Sequence, residues 1–137
     1  MSLFKTLIVE DNYLFRQALR DVLTSQFPYM HIEEADGGCE ALEKVDAFLP
    51  ELVFMDIRLP GQSGLNLTEQ IKNHHPEIMV VILTSYDFPE YREAAFQYGA
   101  NYFIGKGSVQ NVEILTLIEA ILKDSGFEGD GSKGGHC

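Results

Sequence analysis

Residues 52–61 read LVFMDIRLPG. Leu52, Val53, Phe54 and Met55 form an apolar run with no polar residue left to face water. That pattern predicts a strand buried on both faces, as in the middle of a parallel sheet. The run stops at Asp56, and Pro60-Gly61 is set to turn the chain shortly after. A buried strand that ends on an acid requires an explanation from the rest of the chain.

The chain has 137 residues, enough for one domain with a single real core. A hydrophobic fraction of 45% suits a globular protein and excludes a disordered one. The net charge of −11 repels nucleic acid, so this chain alone is not expected to bind DNA. Most of that acidity reads as a solvated surface. Two cysteines, Cys39 and Cys137, suggest neither a disulfide framework nor a metal site, and fit a reducing, cytoplasmic setting. The opening MSLFKTLIVED has no long apolar run, so neither a signal peptide nor a membrane span is expected.

The elements alternate along the chain. Thr6–Val9, HIEEA, Leu52–Met55, IMVVIL and NYFIG read as strands. NYLFRQALRDVLTSQF reads as a helix, with Leu14, Ala18, Leu19, Val22 and Leu23 at helical spacing. GCEALEKVDAF, GLNLTEQIKNHH and PEYREAAFQYG follow, the last opened by Pro89 and closed by Gly99. SVQNVEILTLIEAILKD is the final helix, with Ser108 expected as its cap. Five βα units in strict alternation predict an α/β fold: a parallel sheet with helices on both faces. The domain is expected over residues 1–123. Residues 124–137 are Gly-rich and read as a disordered linker or tail outside the fold. No repeat or heptad pattern is present.

The residues that follow the strands answer the opening question in part. The first ends in Glu10-Asp11, the third in Asp56, the fourth in Thr84-Ser85 and the fifth in Gly105-Lys106. Ligands of open parallel sheets bind at the carboxyl ends of strands. Three acids, a hydroxyl and a lysine are therefore expected in one crevice. Clustered carboxylates repel one another unless a cation joins them. Mg2+ suits a few carboxylates plus waters. Lys106 adds a second positive charge and Thr84 a donor, a set suited to a phosphoryl group carried on one of the acids. Taken singly, each residue has an ordinary role: a strand-end Asp is a turn or cap residue, Lys106 a surface lysine, Thr84 a β-branched strand residue. Their shared placement is what points to a site.

Glu10-Asp11, MDIRLPGQSGL, LTSYD and GANYFIGK together resemble the receiver domain of two-component response regulators, over residues 4 to 123. The resemblance implies a flavodoxin-like sheet of five parallel strands in the order 2-1-3-4-5. It implies that Asp56 accepts a phosphoryl group from a histidine kinase. It implies Mg2+ held by Asp11, by Glu10 mostly through water, by Asp56 and by the backbone carbonyl of Arg58. Thr84 and Lys106 would contact the phosphoryl oxygens, and Pro60 and Gly64 would shape the loop after the acceptor. Phe103 would be the aromatic that rotates on activation, although the adjacent Tyr102 carries a polar handle. Arg58 and Tyr86, two residues after Asp56 and Thr84, would tune the rate at which the phosphoryl group is lost. A receiver of this kind is not an enzyme acting on other substrates. It catalyses only its own phosphorylation and dephosphorylation.

The chain departs from the commoner pattern at Glu10, where Asp is usual, and at Gly107, where many receivers have a proline whose peptide bond is often cis. EDNYLFRQALRDVL and GGCEALEKV look most like receivers of transcription factors with a C-terminal helix-turn-helix domain. A homodimer formed on phosphorylation, and DNA contact through a further domain only, follow as expectations. The Gly-rich tail favours a chain cut at its linker over a stand-alone receiver. A Mg2+-dependent phosphatase with an aspartyl-phosphate intermediate is the main rival, but it wants an acid where Arg58 stands. A flavin or dinucleotide module wants a Gly- or Ser/Thr-rich phosphate loop where EDNY stands. His74-His75 read as cations at a helix end. Cys39 reads as a small residue at a helix start. Tyr91, Phe96 and Tyr98 suit packing and a partner surface equally.

Overall fold

The computed structural model describes residues 4–108 and 112–124. The elements in order are β1 (Phe4–Val9), α1 (Tyr13–Gln26), β2 (Met30–Ala35), α2 (Gly38–Phe48), β3 (Leu52–Met55), β4 (Arg58–Leu59), β5 (Gln62–Ser63), α3 (Gly64–His74), β6 (Met79–Thr84), α4 (Pro89–Gln97), β7 (Tyr102–Gly105) and α5 (Val112–Asp124). Strands β2-β1-β3-β6-β7 form a five-stranded sheet in which every pairing is parallel. The expected order 2-1-3-4-5 describes these five strands alone. Two short strands that the sequence reading lacked, β4 and β5, pair as a separate antiparallel ribbon, so counting every strand the order is 2-1-3-6-7. Pro60-Gly61 makes the turn of that ribbon, and Gly61 supplies the positive φ, +76°, that a side chain resists.

Alternation along each strand splits the core into two layers. Phe4 and Ile8 face one way with Phe54, Val81 and Ile104, against Leu19 and Leu23 of α1 and Ile118 of α5. Leu7 and Val9 face the other way with Val53, Met55 and Ile82, against Val45 of α2, Leu67 and Ile71 of α3 and Ala95 of α4. Each fully buried Leu, Ile or Phe contributes roughly 1.5–3 kcal/mol.

Helix α1 differs from the expected stripe. Leu14 is 79% exposed and Ala18 is exposed as well, while Phe15, Leu19 and Leu23 face the core. The Asn12 side chain caps the helix by accepting from Phe15 N, and this start sets a register that turns Phe15 inward. At the other end of the chain, Lys106–Ser108 form a 3-10 turn and α5 is described from Val112. The expected start of that helix at residues 109–111, and the tail after Asp124 with Cys137, lie outside the described residues. The Lys106–Gly107 bond is trans, since no described peptide bond is cis. Among the described residues, no helix is long and apolar enough to cross a membrane.

One core residue is mismatched to its surroundings. Thr6, in the middle of β1, is fully buried, and its Oγ1 has no hydrogen-bond partner among the described residues. An unmet buried hydroxyl costs about 1–3 kcal/mol. Thr6→Val keeps the shape and removes the hydroxyl. It is expected to stabilise the fold by about 1 kcal/mol, read as a higher urea midpoint at unchanged slope.

Candidate functional site

The β1, β3, β6 and β7 ends converge as the strand-end reading expected. Glu10 follows β1 and is only 3% exposed; Asp11 beside it is exposed. Asp56 follows β3 at 5% exposure, its amide donating to the Val9 carbonyl at 3.1 Å. Thr84 closes β6, fully buried. Lys106 follows β7, and its Nζ lies 2.7 Å from Glu10 Oε1 and 3.3 Å from Asp56 Oδ2. The Phe15 ring lies 4.5 Å beneath the same ammonium, which is why the inward turn of Phe15 matters to the site.

Burial pushes the Glu10 carboxyl above its ordinary value. Hydrogen bonds from Lys106 and from the Asn12 amide oppose the shift, the charge of Asp56 adds to it, and the balance stays upward. Burial alone would lower Lys106, but its hydrogen bond to Glu10 and the charge of Asp56 outweigh it, so the ammonium is held above its ordinary value. Lys106 is therefore charged at neutral pH, while the acids beside it remain short of compensation.

Asp56 makes that shortage specific. Its Oδ2 faces Lys106, while its Oδ1 is buried with no hydrogen-bond partner among the described residues. Carboxylate oxygens of Glu10, Asp11 and Asp56 lie within 4.8 Å of one another. An unpartnered buried carboxylate oxygen beside two further hard oxygen donors fits a divalent cation such as Mg2+. Thr84 Oγ1 accepts from Tyr86 N at 3.1 Å, which leaves its own O–H to donate to an oxygen acceptor.

The acceptor loop is shaped by close approach. A Cβ at Gly64 would lie 1.9 Å from the Asp56 carbonyl oxygen, so only glycine lets the chain pass there. The Gly64 amide donates to the Ile57 carbonyl at 2.8 Å, tying the start of α3 to the residue after Asp56.

The remaining expected residues divide. The Arg58 guanidinium stacks on the Tyr86 ring at 4.5 Å, so the two meet each other above the β3 and β6 ends. Tyr86 in turn lies 5.9 Å from the Tyr91 ring of α4. Phe103 is 6% exposed, in the same core layer as Ile82 and Ala95, with the Arg92 guanidinium 4.9 Å over its ring. Tyr102 points to the opposite layer, away from α4. His74 and His75 stand apart from the site: His75 Nε2 lies 3.1 Å from Asp46 Oδ1, and His74 Nδ1 lies 2.9 Å from the Gln70 carbonyl. Cys39 is exposed in the first turn of α2. Phe96 is 45% exposed, while Tyr91 packs against the core.

The sequence reading missed the group behind the acids. Arg16 Nη1 donates to the Glu10 carbonyl at 2.6 Å, and Arg16 Nε donates to Glu34 Oε1 at 2.7 Å. Nothing in the spacing of Arg16 and Glu34 announces that pair. The reading also placed Asn12 inside the first helix, whereas its side chain caps that helix.

Comparison with known proteins agrees with this geometry. The response regulator receiver domain matches residues 6–127. Response regulator GacA of Pseudomonas syringae pv. syringae is 30% identical over 120 residues, covering 86% of this chain and 56% of GacA. Transcriptional regulatory protein HptR of Staphylococcus aureus is 35% identical over 131 residues, covering 93% of this chain and 51% of HptR. The chain thus spans about half the length of these curated relatives. The solved signal receiver domain of the response regulator NarL from Mycobacterium tuberculosis superposes with a TM-score of 0.80 at 27% identity, over 90% of this chain and 98% of that one. With its sheet, its convergent acids and lysine, and a match over nearly all of its described residues, this chain belongs to the family of response regulator receiver domains.

Proposed function

We propose that Asp56 accepts a phosphoryl group from a histidine kinase in a Mg2+-dependent reaction, and that the phosphorylated domain switches an output. The observation that carries this reading is Asp56 itself: a buried carboxylate with Lys106 on one oxygen and, among the described residues, no partner on the other. An Asp56 oxygen attacks phosphorus in line. The new O–P bond forms as the N–P bond of the phosphohistidine breaks, and the electron pair leaves with the imidazole nitrogen. Lys106 is placed to trade its contact with Asp56 for a phosphoryl oxygen, and the Thr84 O–H to donate to another. Mg2+, held by Glu10, Asp11, Asp56 and the Arg58 carbonyl, would supply positive charge to offset the phosphoryl oxygens when bound. The domain turns over no other substrate.

Switching starts at Thr84. Its Oγ1 holds Tyr86 N, so a pull on Thr84 moves Tyr86, and with it the stacks on Arg58 and Tyr91. The rearranged segment from residue 84 to 107 presents the changed surface, for pairing with a second copy or for an output domain. The likeness to HptR, a transcriptional regulatory protein, supports transcriptional output; DNA contact through a further domain and a cytoplasmic setting belong to the same proposal. The expected boundary after residue 123, with a linker following, belongs to the same proposal.

Acetyl phosphate with Mg2+ is expected to add one phosphoryl group to the parent, and none to Asp56→Asn, by intact mass. Mg2+ at about ten times its dissociation constant is expected to stabilise the parent by about 1.4 kcal/mol, seen as a higher melting temperature. Asp11→Ala should lose most of that gain.

Arg58 and Tyr86 give the third expectation. Neither orients water as an acid or amide would; the two stack on each other, and in this reading the stack shields the phosphoryl group on Asp56. Arg58→Asn with Tyr86→Glu is expected to speed loss of the phosphoryl group about tenfold or more, followed as decay of phosphorylated protein in Mg2+ buffer. Equal or slower decay removes these residues from the role.

A further inference from the structure

Arg16 stands one turn into α1, behind the acid loop rather than in it. Its guanidinium joins two elements, donating from Nη1 to the Glu10 carbonyl at 2.6 Å and from Nε to Glu34 Oε1 on β2 at 2.7 Å. Glu34 is anchored in turn. Arg20 Nη1 donates to its Oε2 at 2.6 Å and Gln17 Nε2 to its Oε1 at 2.9 Å. The Arg16 and Glu34 side chains are only 14% and 20% exposed. Burial pushes the Glu34 carboxyl up, but the hydrogen bonds from Arg16 and Arg20 outweigh it and hold it below its ordinary value. The Tyr13 ring lies 5.5 Å from the Arg16 guanidinium carbon. The loop closes on itself as well: Asn12 N donates to Glu10 Oε2 at 2.9 Å, and Arg16 N to the Asn12 carbonyl at 2.9 Å.

We propose that Arg16, oriented by Glu34, is a positioning residue for cation binding: its fork fixes the Glu10 carbonyl, and so the direction in which the Glu10 and Asp11 carboxylates point. The inference rests on the Mg2+ reading given above. It concerns a residue that touches neither the cation nor the phosphoryl group. Partners behind metal ligands commonly act in this way, and their loss costs about 10–100-fold in metal affinity. Charge alone predicts the opposite sign. Arg16 is a cation close to the acids, so removing it would strengthen Mg2+ binding if repulsion were its only influence. Lysine cannot replace it, because a point charge lacks two donors set at the fork spacing.

The test reads half-saturating Mg2+ from amide chemical shifts, with the urea midpoint measured in the absence of Mg2+. Arg16→Met and Arg16→Lys are expected to raise half-saturating Mg2+ about tenfold. Glu34→Gln should shift it in the same direction by less. Arg20→Met, which disturbs Glu34 but touches no atom of Glu10, should lower the urea midpoint and leave Mg2+ binding unchanged. Arg16→Lys binding as the parent does, tighter Mg2+ in Arg16→Met, or an equal loss in Arg20→Met each overturns the positioning role. Should Arg16→Met fail to fold, Arg16→Lys and Glu34→Gln decide the matter by the same readout. A parent that binds no Mg2+ overturns the metal reading and this inference together; a parent that binds, with unaffected Arg16 variants, overturns this inference alone.

Discussion

The contact between Lys106 and the two buried acids Glu10 and Asp56 is the constraint on which the rest of the structure depends. Buried charge of one sign is costly unless it is met by the other. Here one ammonium, from the far strand β7, meets carboxylates at the ends of β1 and β3. It does so without satisfying them, since Asp56 Oδ1 stays unpartnered among the described residues and burial pushes the Glu10 carboxyl above its ordinary value. A site left short of positive charge is one whose stability is open to a cation. Five parallel strands packed on both faces make that arrangement tolerable, because helices on two sides hold the strand ends in place.

Around that pair the backbone leaves little freedom. Gly64 passes so close to the Asp56 carbonyl that any side chain would collide with it, and the Ile57 carbonyl receives the Gly64 amide. The β4–β5 ribbon carries the chain out and back through Pro60-Gly61 before α3 begins. Arg58 thus opens an element of its own, and its side chain lies over Tyr86. A residue two places after the acceptor is in this way joined to a residue two places after the hydroxyl.

That junction continues to α4. Thr84 holds Tyr86 through the backbone, Tyr86 meets Arg58 and Tyr91, and Tyr91 belongs to α4. Phe103 is buried in the layer that α4 covers, with the Arg92 guanidinium over its ring. On the far side of the acids, Arg16 and Glu34 bind the β1–α1 loop to β2. The acid loop is therefore tied to β2 on one side, while the contacts that start at Thr84 run to α4 on the other.

Composition and periodicity alone were enough for the alternating elements, the two-sided burial of Leu52–Met55, and the gathering of Glu10, Asp11, Asp56, Thr84 and Lys106. These follow from local rules: apolar runs need burial on both faces, and parallel strands bring their carboxyl ends to one edge. The β4–β5 ribbon escaped because two-residue strands carry no periodicity to detect. The stripe on α1 was misread because Leu14 and Phe15 fit a helix equally well, and only the Asn12 cap and the contact with Lys106 decided which one turns inward. The Arg16–Glu34 bridge, the Arg58–Tyr86 stack and the burial of Phe103 join residues distant in the chain. Their geometry depends on how the strands pair and the helices pack, so the tertiary structure alone decided them.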